Sequence, residues 1–351
     1  MINMKICTKC VLPETFPGIY FDAYGQCSYC NRFRGIENQE QLKERYKQKF
    51  LGIMGEIKGK GPYDALMAYS GGKDSTYTLR LMTEDYGLKV LAITFDHGFV
   101  SPAATRNIRQ VAAFLDVDHM TISPGAKTLR EVFVKSMSHG IYPIKALERA
   151  SSICNSCMNL VKSFLLKTAL EMQIPMVAYG WSPGQAPVQS AVFKTNASII
   201  REMQKAMLKP VKEIVGDRLS GFMLGDRSSN AVLETSAFPY LIHPLAFTDY
   251  DEEHILESVR KMGWVDPKDT DANSTNCLLN SFANEVHLKQ LGFHPYAFEI
   301  AGLVREGYMT REEGLKKLSA PSDPKMVEYV RNKLGLSGAD LNVKGQSPNV
   351  K

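Results

Sequence analysis

The stretch from Ala65 to Tyr86 constrains the fold more than any other part of the chain. An apolar run, Ala65-Leu66-Met67-Ala68-Tyr69, reads as a buried strand. It is followed by Ser70-Gly71-Gly72-Lys73-Asp74-Ser75 and then by a helical pattern from Ser75 to Tyr86 that Gly87 stops. A strand, a glycine turn and a helix form the repeating unit of parallel sheets. Two adjacent glycines let backbone amides approach an anion, and the helix start adds unpaired N–H groups and a positive dipole end, so phosphate is the expected ligand. The plainer alternative is a capped turn that binds nothing. The spacing is neither that of a Walker A loop nor that of a dinucleotide fingerprint.

The flanking sequence extends the same pattern. Strands are expected at Val90–Phe95, His119–Ile122 and Pro175–Gly180, with helices at Ala103–Leu115, near Leu129–Ser138 and from about Cys154 to Met172. This alternation predicts an α/β fold with a parallel sheet covered on both faces. Gln39 to about Met54 reads as a helix after a Cys-, Pro- and Gly-rich opening. Residues 194–227 read as a basic helical insertion carrying Arg201, Lys205, Lys209, Lys212, Arg218 and Arg227, most simply a solvated helix face. After Asp251 the pattern is helical almost to Gly335, with a capping box at Thr310 and Glu313 and a helix start at Asp323-Pro324. The polar tail from Ser337 to Lys351 is expected to fray.

With 351 residues, 44% hydrophobic and 23% charged, the chain is long enough for a large domain with appendages and too ordinary in composition for a disordered or fibrous protein. Lys+Arg 42 against Asp+Glu 37 leaves +5, which suits an anionic ligand but not a protein that coats nucleic acid. Neither a signal-peptide pattern nor a run of about 18 apolar residues is seen, so no membrane association and a cytoplasmic location are expected.

Six of the seven cysteines stand in Cys-x-x-Cys pairs, which in a reducing compartment points to metal or redox chemistry. Cys7, Cys10, Cys27 and Cys30, with sixteen residues between the pairs, match a structural four-cysteine zinc site; four free thiols or a redox pair is the alternative. Cys154 and Cys157 fall at the start of a helix, on one face, and Cys277 lies far downstream. For these three the open readings are semi-buried small residues, a second zinc with one of the seven histidines, thiol chemistry without metal, or a cluster.

The Ser70–Ser75 loop resembles the SGGxDS pyrophosphate loop of PP-loop ATP pyrophosphatases, whose domain is of the adenine nucleotide α-hydrolase type. That resemblance implies phosphate cradling by Ser70, Gly71, Gly72 and Ser75, charge neutralisation by Lys73, and Mg²⁺ or pyrophosphate positioning by Asp74. Phe95 and Asp96, in Phe95-Asp96-His97-Gly98, are similar to the stretch beside the adenine, and Gly180 would also line the ATP site. His243-Pro244-Leu245 is similar to a Pro-Leu element that precedes a helix in tRNA-modifying members. Cys154, Cys157 and Cys277 resemble the pattern that holds an iron–sulfur (4Fe-4S) cluster in PP-loop tRNA 2-thiolation enzymes.

End to end, Ile6–Thr15, Cys27–Asn31, Tyr69–Ser75 and Cys154–Cys157 closely resemble N-acetyl sugar amidotransferases, the WbpG and PseA type of bacterial surface-polysaccharide (lipopolysaccharide O-antigen) biosynthesis. The resemblance spans roughly residues 5–320. It implies three regions: 1–50 a zinc module with its linking helix, 51–250 a PP-loop ATP-binding catalytic domain, and 251–351 a helical C-terminal appendage. It further implies ATP, Mg²⁺ and Zn²⁺, adenylation of the acetamido oxygen of a nucleotide-linked N-acetylated sugar, and displacement of AMP by ammonia to give an acetamidino group. Ammonia would come from separate glutaminase and channelling subunits of the HisH and HisF kind, because this chain carries no Gly-x-Cys-x-Gly elbow. Trp181, Ser182 and Gln185, in a Gly/Pro loop after a strand's C-terminal end, are the candidate sugar-contacting residues. Two other functions compete: a tRNA-thiolating enzyme with a cluster at Cys154, Cys157 and Cys277, and a non-catalytic zinc scaffold. A homo-oligomer through the exposed helical surface is compatible with all of them.

Overall fold

A computed structural model describes residues 4–138, 140–223, 237–271 and 273–336. Six strands form one sheet: β1 Ala65–Ala68, β2 Val90–Phe95, β3 Asp118–Ile122, β4 Met176–Tyr179, β5 Val192–Lys194 and β6 Tyr240–Ile242, in the order β3-β2-β1-β4-β6-β5. All neighbours pair in parallel except β5, which closes the edge antiparallel to β6. The strands are apolar runs rather than alternating ones because both faces are covered. Ala65, Met67, Val90 and Ala92 enter one core with Trp264 and Ile255, while Leu66, Leu91 and Val177 enter the opposite one with Leu165 and Ala169. β1 pairs with both β2 and β4, so chain order reverses there and a crevice opens beyond the strands' carboxyl ends.

The helices are α1 Ser28–Asn31, α2 Ile36–Ile57, α3 Lys73–Arg80, α4 Pro102–Phe114, α5 Ala126–Ser136, α6 Ile144–Leu147, α7 Ser152–Glu171, α8 Ala197–Val215, α9 Glu252–Lys261, α10 Leu279–Leu291, α11 Ala297–Arg305, α12 Arg311–Ser319 and α13 Pro324–Leu334. Ser151 caps α7 through a bond from the Cys154 amide, and the Thr310–Glu313 capping box and the Pro324 start form as the sequence predicts. None of the described helices is long and apolar enough to cross a membrane.

Two expectations are corrected. The helix expected at Ser75–Tyr86 is α only to Arg80 and widens to a π turn over Leu81–Asp85. β5 and β6, three residues each, are too short to show a period in the sequence and are not among the expected strands. The helical run after Asp251 is broken between Lys261 and Leu279, where β2's exit loop captures the chain: Ser101 N–H donates to Asn276 O at 2.9 Å and Leu278 N–H to Phe99 O at 2.9 Å. His243-Pro244-Leu245 opens a 3₁₀ turn, Pro244–Ala246, and α9 follows it at Glu252. Of the basic insertion, α8 and the 3₁₀ segment Gly216–Phe222 are observed, with Arg218 paired to Glu131 at 2.7 Å. Arg227 and the tail 337–351 lie outside the described residues.

The opening residues fold away from the sheet, against the C-terminal helices. Phe16 meets Phe293 at 5.1 Å and stacks on Phe298 at 5.8 Å between ring centroids, in a core shared with Ala297, Ile300 and Ala301. Arg311 Nε donates to both Cys7 O and Cys10 O at 3.1 Å.

Candidate active site and metal centre

The glycines of the phosphate loop are there for space. Gly71 sits at φ +76°, and a Cβ on it would meet Ile108 Cγ1 at 2.6 Å and Ala104 O at 2.8 Å; one on Gly72 would meet Thr275 Oγ1 at 2.9 Å. The loop is tied from three sides. Trp264 Nε1–H donates to Gly71 O at 2.9 Å, Ser75 Oγ to Gly72 O at 3.0 Å, and Lys73 N–H to Thr275 Oγ1 at 3.1 Å. Gly180 packs against the Ser75 backbone so closely that any side chain would collide.

Two adjoining cavities flank this loop. The larger, about 290 Å³, lies at the carboxyl ends of β1, β2 and β4; the smaller, about 120 Å³, lies over the first turn of α3. Ser274, Tyr296 and Glu299 line both. Ser70, Ser75, Phe95, Gly180, Trp181, Gln185, Cys154, Cys157 and Cys277 all line the larger cavity. Lys73 and Asp74 line the smaller one, on the far side of the loop. Gly71 and Gly72 stand behind the wall. Asp96 instead turns into its own loop, where its carboxylate accepts Gly98 N–H at 2.9 Å, and its neighbour His97 lines the cavity. Ser182 does not line the cavity itself but bonds to two residues that do, its Oγ donating to Glu299 and its N–H to Gln185 Oε1.

The electrostatics separate the two chambers. Lys73 Nζ lies 2.9 Å from Asp74 Oδ1, 2.9 Å from Tyr250 Oη and 3.4 Å from Glu252 Oε1. Burial alone pulls its pKa down, but Asp74, Tyr250 and Glu252 outweigh that and hold the ammonium well above the usual lysine value. At the junction, burial pushes the Glu299 carboxyl up to about 7, although Ser182 Oγ donates to its Oε1 at 2.7 Å. Across the larger cavity, burial draws His97 down to about 4 and His243 to about 3, so both imidazoles are neutral.

The helix start at Ser151 and the Asn276–Leu278 pairing with the β2 exit loop bring Cys154, Cys157 and Cys277 to one wall. Burial raises all three thiols, with Cys277 at about 12. Phe99 N–H donates to His97 Nδ1 at 3.2 Å, which leaves the ring proton on Nε2, 3.8 Å from Cys277 Sγ. His97 is thus set as a donor to that sulfur; to serve as a ligand it would have to give up this proton.

Cys7, Cys10, Cys27 and Cys30 are buried, with all four sulfurs within 4.8 Å of one another, the only such metal-ligating group among the described residues. Cys7 and Cys30 sulfurs are 3.8 Å apart and those of Cys10 and Cys27 3.7 Å apart. Metal–sulfur bonds of about 2.3 Å in a tetrahedron put sulfurs roughly 3.8 Å apart, so the set fits one four-coordinate ion. The Lys9, Cys10 and Cys27 amides point at Cys7 Sγ at 3.4, 3.4 and 3.2 Å, as is suited to a thiolate ligand.

Sequence reading misses Glu299, Lys162, His97, Tyr250, Glu252 and Trp264 as site residues. Only His97, next to the expected Asp96, had a local signal; the others arrive by tertiary packing.

No known family's sequence profile matches the chain. An uncharacterized protein from Methanocaldococcus jannaschii is 24% identical over 294 residues, covering 84% of this chain and 86% of its own length. Among solved structures, the U34-tRNA thiolase NcsA from Methanococcus maripaludis with its 4Fe-4S cluster aligns over 96% of this chain and 100% of its own, with TM-score 0.36 and 20% identity. The NH3-dependent NAD synthetase from Campylobacter jejuni aligns over 85% of this chain and 93% of its own, with TM-score 0.35 and 11% identity. NMN synthetase from Francisella tularensis aligns over 88% and 99%, with TM-score 0.35 and 13% identity.

Proposed function

We propose that the chain is an ATP-using enzyme of the PP-loop type that adenylates the acetamido oxygen of a nucleotide-linked N-acetylated sugar and replaces that oxygen with nitrogen. ATP phosphates would lie at the mouth of the loop, by Ser70 and Ser75 at the start of α3, and the base toward Phe95, in the crevice at the β1/β4 reversal. The single observation that carries the reading is Glu299. A carboxyl with a pKa near 7 at the junction of the two cavities is a base poised for neutral-pH proton transfer, and amide-to-amidine exchange needs such a base.

The chemistry balances with the groups present. The amide oxygen attacks the α-phosphorus and pyrophosphate leaves, forming a C–O–P link. Ammonia adds to the carbon, Glu299 takes the proton its nitrogen sheds, and the C–O bond breaks to release AMP and the amidine. Catalysis by positioning and charge stabilisation requires no protein nucleophile. Lys73 would exchange Asp74 for phosphate oxygen. Asp74 and Glu252 are the oxygen donors that would hold Mg²⁺, which supplies charge neutralisation for the pyrophosphate. The four-cysteine set would hold zinc as a closed structural site. Ammonia would be delivered by a partner glutaminase with its channelling subunit.

Incubation with ATP, ammonium and a nucleotide-linked diacetamido sugar should yield AMP, pyrophosphate and a product lighter by the difference between oxygen and an imino group. Release of ADP instead of AMP would overturn the reading.

The convergence of Cys154, Cys157 and Cys277 on the larger cavity favours a second reading, a tRNA-thiolating enzyme whose iron–sulfur cluster these residues hold. Iron content with visible absorption after oxygen-free purification, together with salt-steep tRNA binding, would support it over the first.

A further inference from the structure

Among the described residues, the larger cavity holds a cation with neither a carboxylate nor a hydrogen-bond acceptor. Lys73 is matched by Asp74 and Glu252 in the other chamber. Arg149, also on the larger cavity, donates from Nη1 to Gln185 O at 3.1 Å and lies 4.5 Å over the Phe298 ring, while the neighbouring Glu148 is engaged by Lys145 at 3.1 Å. Lys162, nearly three turns into α7, reaches the cavity with neither a carboxylate nor a hydrogen-bond acceptor beside it. Its ammonium rests 4.5 Å over the face of Trp181, whose indole is stacked flat on His243 at 4.5 Å and 9°. Burial draws its pKa down to about 8 with no opposing charge. The titratable groups around it, His243 and Tyr179, are both neutral near pH 7. An aromatic face orients a cation but does not replace its hydration, so a half-buried ammonium held open to a cavity is placed to take an anionic partner.

We propose that Lys162, held in place by the Trp181–His243 stack, is the anion-binding residue for the second substrate, donating to a phosphate or carboxylate oxygen of the molecule that ATP activates. The inference rests on reading the larger cavity as the place where ATP and that substrate meet. It does not depend on the substrate being a sugar. Lys162 stands over Trp181, which follows β4 and stacks on His243 after β6, whereas Phe95 ends β2 on the other side of β1.

The test is NMR of the full chain after reductive methylation with ¹³C-formaldehyde, with the Lys162 signal assigned through Lys162→Arg. Inorganic phosphate, UDP-N-acetylglucosamine, glucuronate and neutral N-acetylglucosamine are titrated in turn, with a non-hydrolysable ATP analogue present throughout. The Lys162 signal should shift, and its titration midpoint rise, with the phosphate probes or with glucuronate; which of them acts identifies the anion. The neutral sugar should leave it unmoved. Lys162→Met should weaken the active probe by about tenfold or more and leave affinity for the ATP analogue unchanged, with Lys162→Arg retaining binding. No shift with any anion, or equal loss of the ATP analogue in Lys162→Met, overturns the proposal. If Lys162 responds to an anion but no amidine forms in the turnover assay, the sugar reading fails and this one stands.

Discussion

Ser182 and Glu299, 117 residues apart in sequence, are joined by a hydrogen bond of 2.7 Å from Oγ to Oε1. The bond is possible because Gly184 lies directly on the Glu299 carbonyl, where any side chain would collide, and Gly302 packs on Gly184 in turn. The loop after β4 and helix α11 therefore form one surface, and it presents the carboxyl to both cavities.

That carboxyl should set the pH response. Activity is expected to rise as pH passes through about 7, where Glu299 ionises, and Glu299→Gln should flatten the rise and cost about 10²–10⁴ in rate. Stability should move the other way. A carboxyl whose pKa is raised on folding holds an extra proton between about 4.5 and about 7, so the fold loses stability as pH climbs through that window. Urea unfolding at pH 5 and pH 8 should show this difference shrinking in Glu299→Gln.

The phosphate loop should fail in two separable ways. Gly71→Ala forces a Cβ into Ile108 and the Ala104 carbonyl at a positive φ, and should destabilise by about 2–3 kcal/mol while abolishing ATP binding. Trp264→Phe removes only the bond to Gly71 O and some packing. It should cost about 1–3 kcal/mol and weaken ATP binding without eliminating it, as calorimetric titration would resolve.

At the four-cysteine site, one zinc ion per chain is expected on metal analysis, and Cys10→Ser should lose it. Arg311→Met leaves every ligand intact but removes the two bonds to the Cys7 and Cys10 carbonyls. It should accelerate metal loss to a chelator, followed by a colorimetric zinc indicator.

Under the amidotransfer reading, Cys277→Ser should retain ATP–pyrophosphate exchange, because no step uses a thiol. Protein purified without oxygen should show no broad band near ~400 nm; about four irons with such a band would transfer weight to the thiolation reading.

Much of the frame was legible from periodicity. β2 falls at the residues expected, and α4, α5 and α7 start within three, because each apolar pattern is long enough to choose its own period. The phosphate loop was legible because its glycines are local chemistry. What escaped depends on partners distant in sequence. β6 becomes a strand by pairing with β4. The segment carrying Thr275, Asn276 and Cys277 leaves the helical pattern because Phe99 and Ser101 bind its backbone. Nothing around Lys162 in sequence distinguishes it from Lys167, which instead pairs with Glu171; only Trp181 and the cavity do. Asp96, chosen by its motif, has its carboxylate turned back to its own loop by the turn that Gly98 permits at φ +82°, and its neighbour His97 lines the cavity.

The docking of the cysteine module on Phe293, Ala297 and Ile300 also orders events at the ribosome. Its four cysteines are made about three-quarters of the chain ahead of the apolar residues that cover them, so a bound ion would be what holds the module together while synthesis continues. The phosphate loop likewise precedes Glu299 by more than half the chain. A nascent chain is therefore able to gather its metal early, but the chamber that would spend ATP is closed only when α11 arrives.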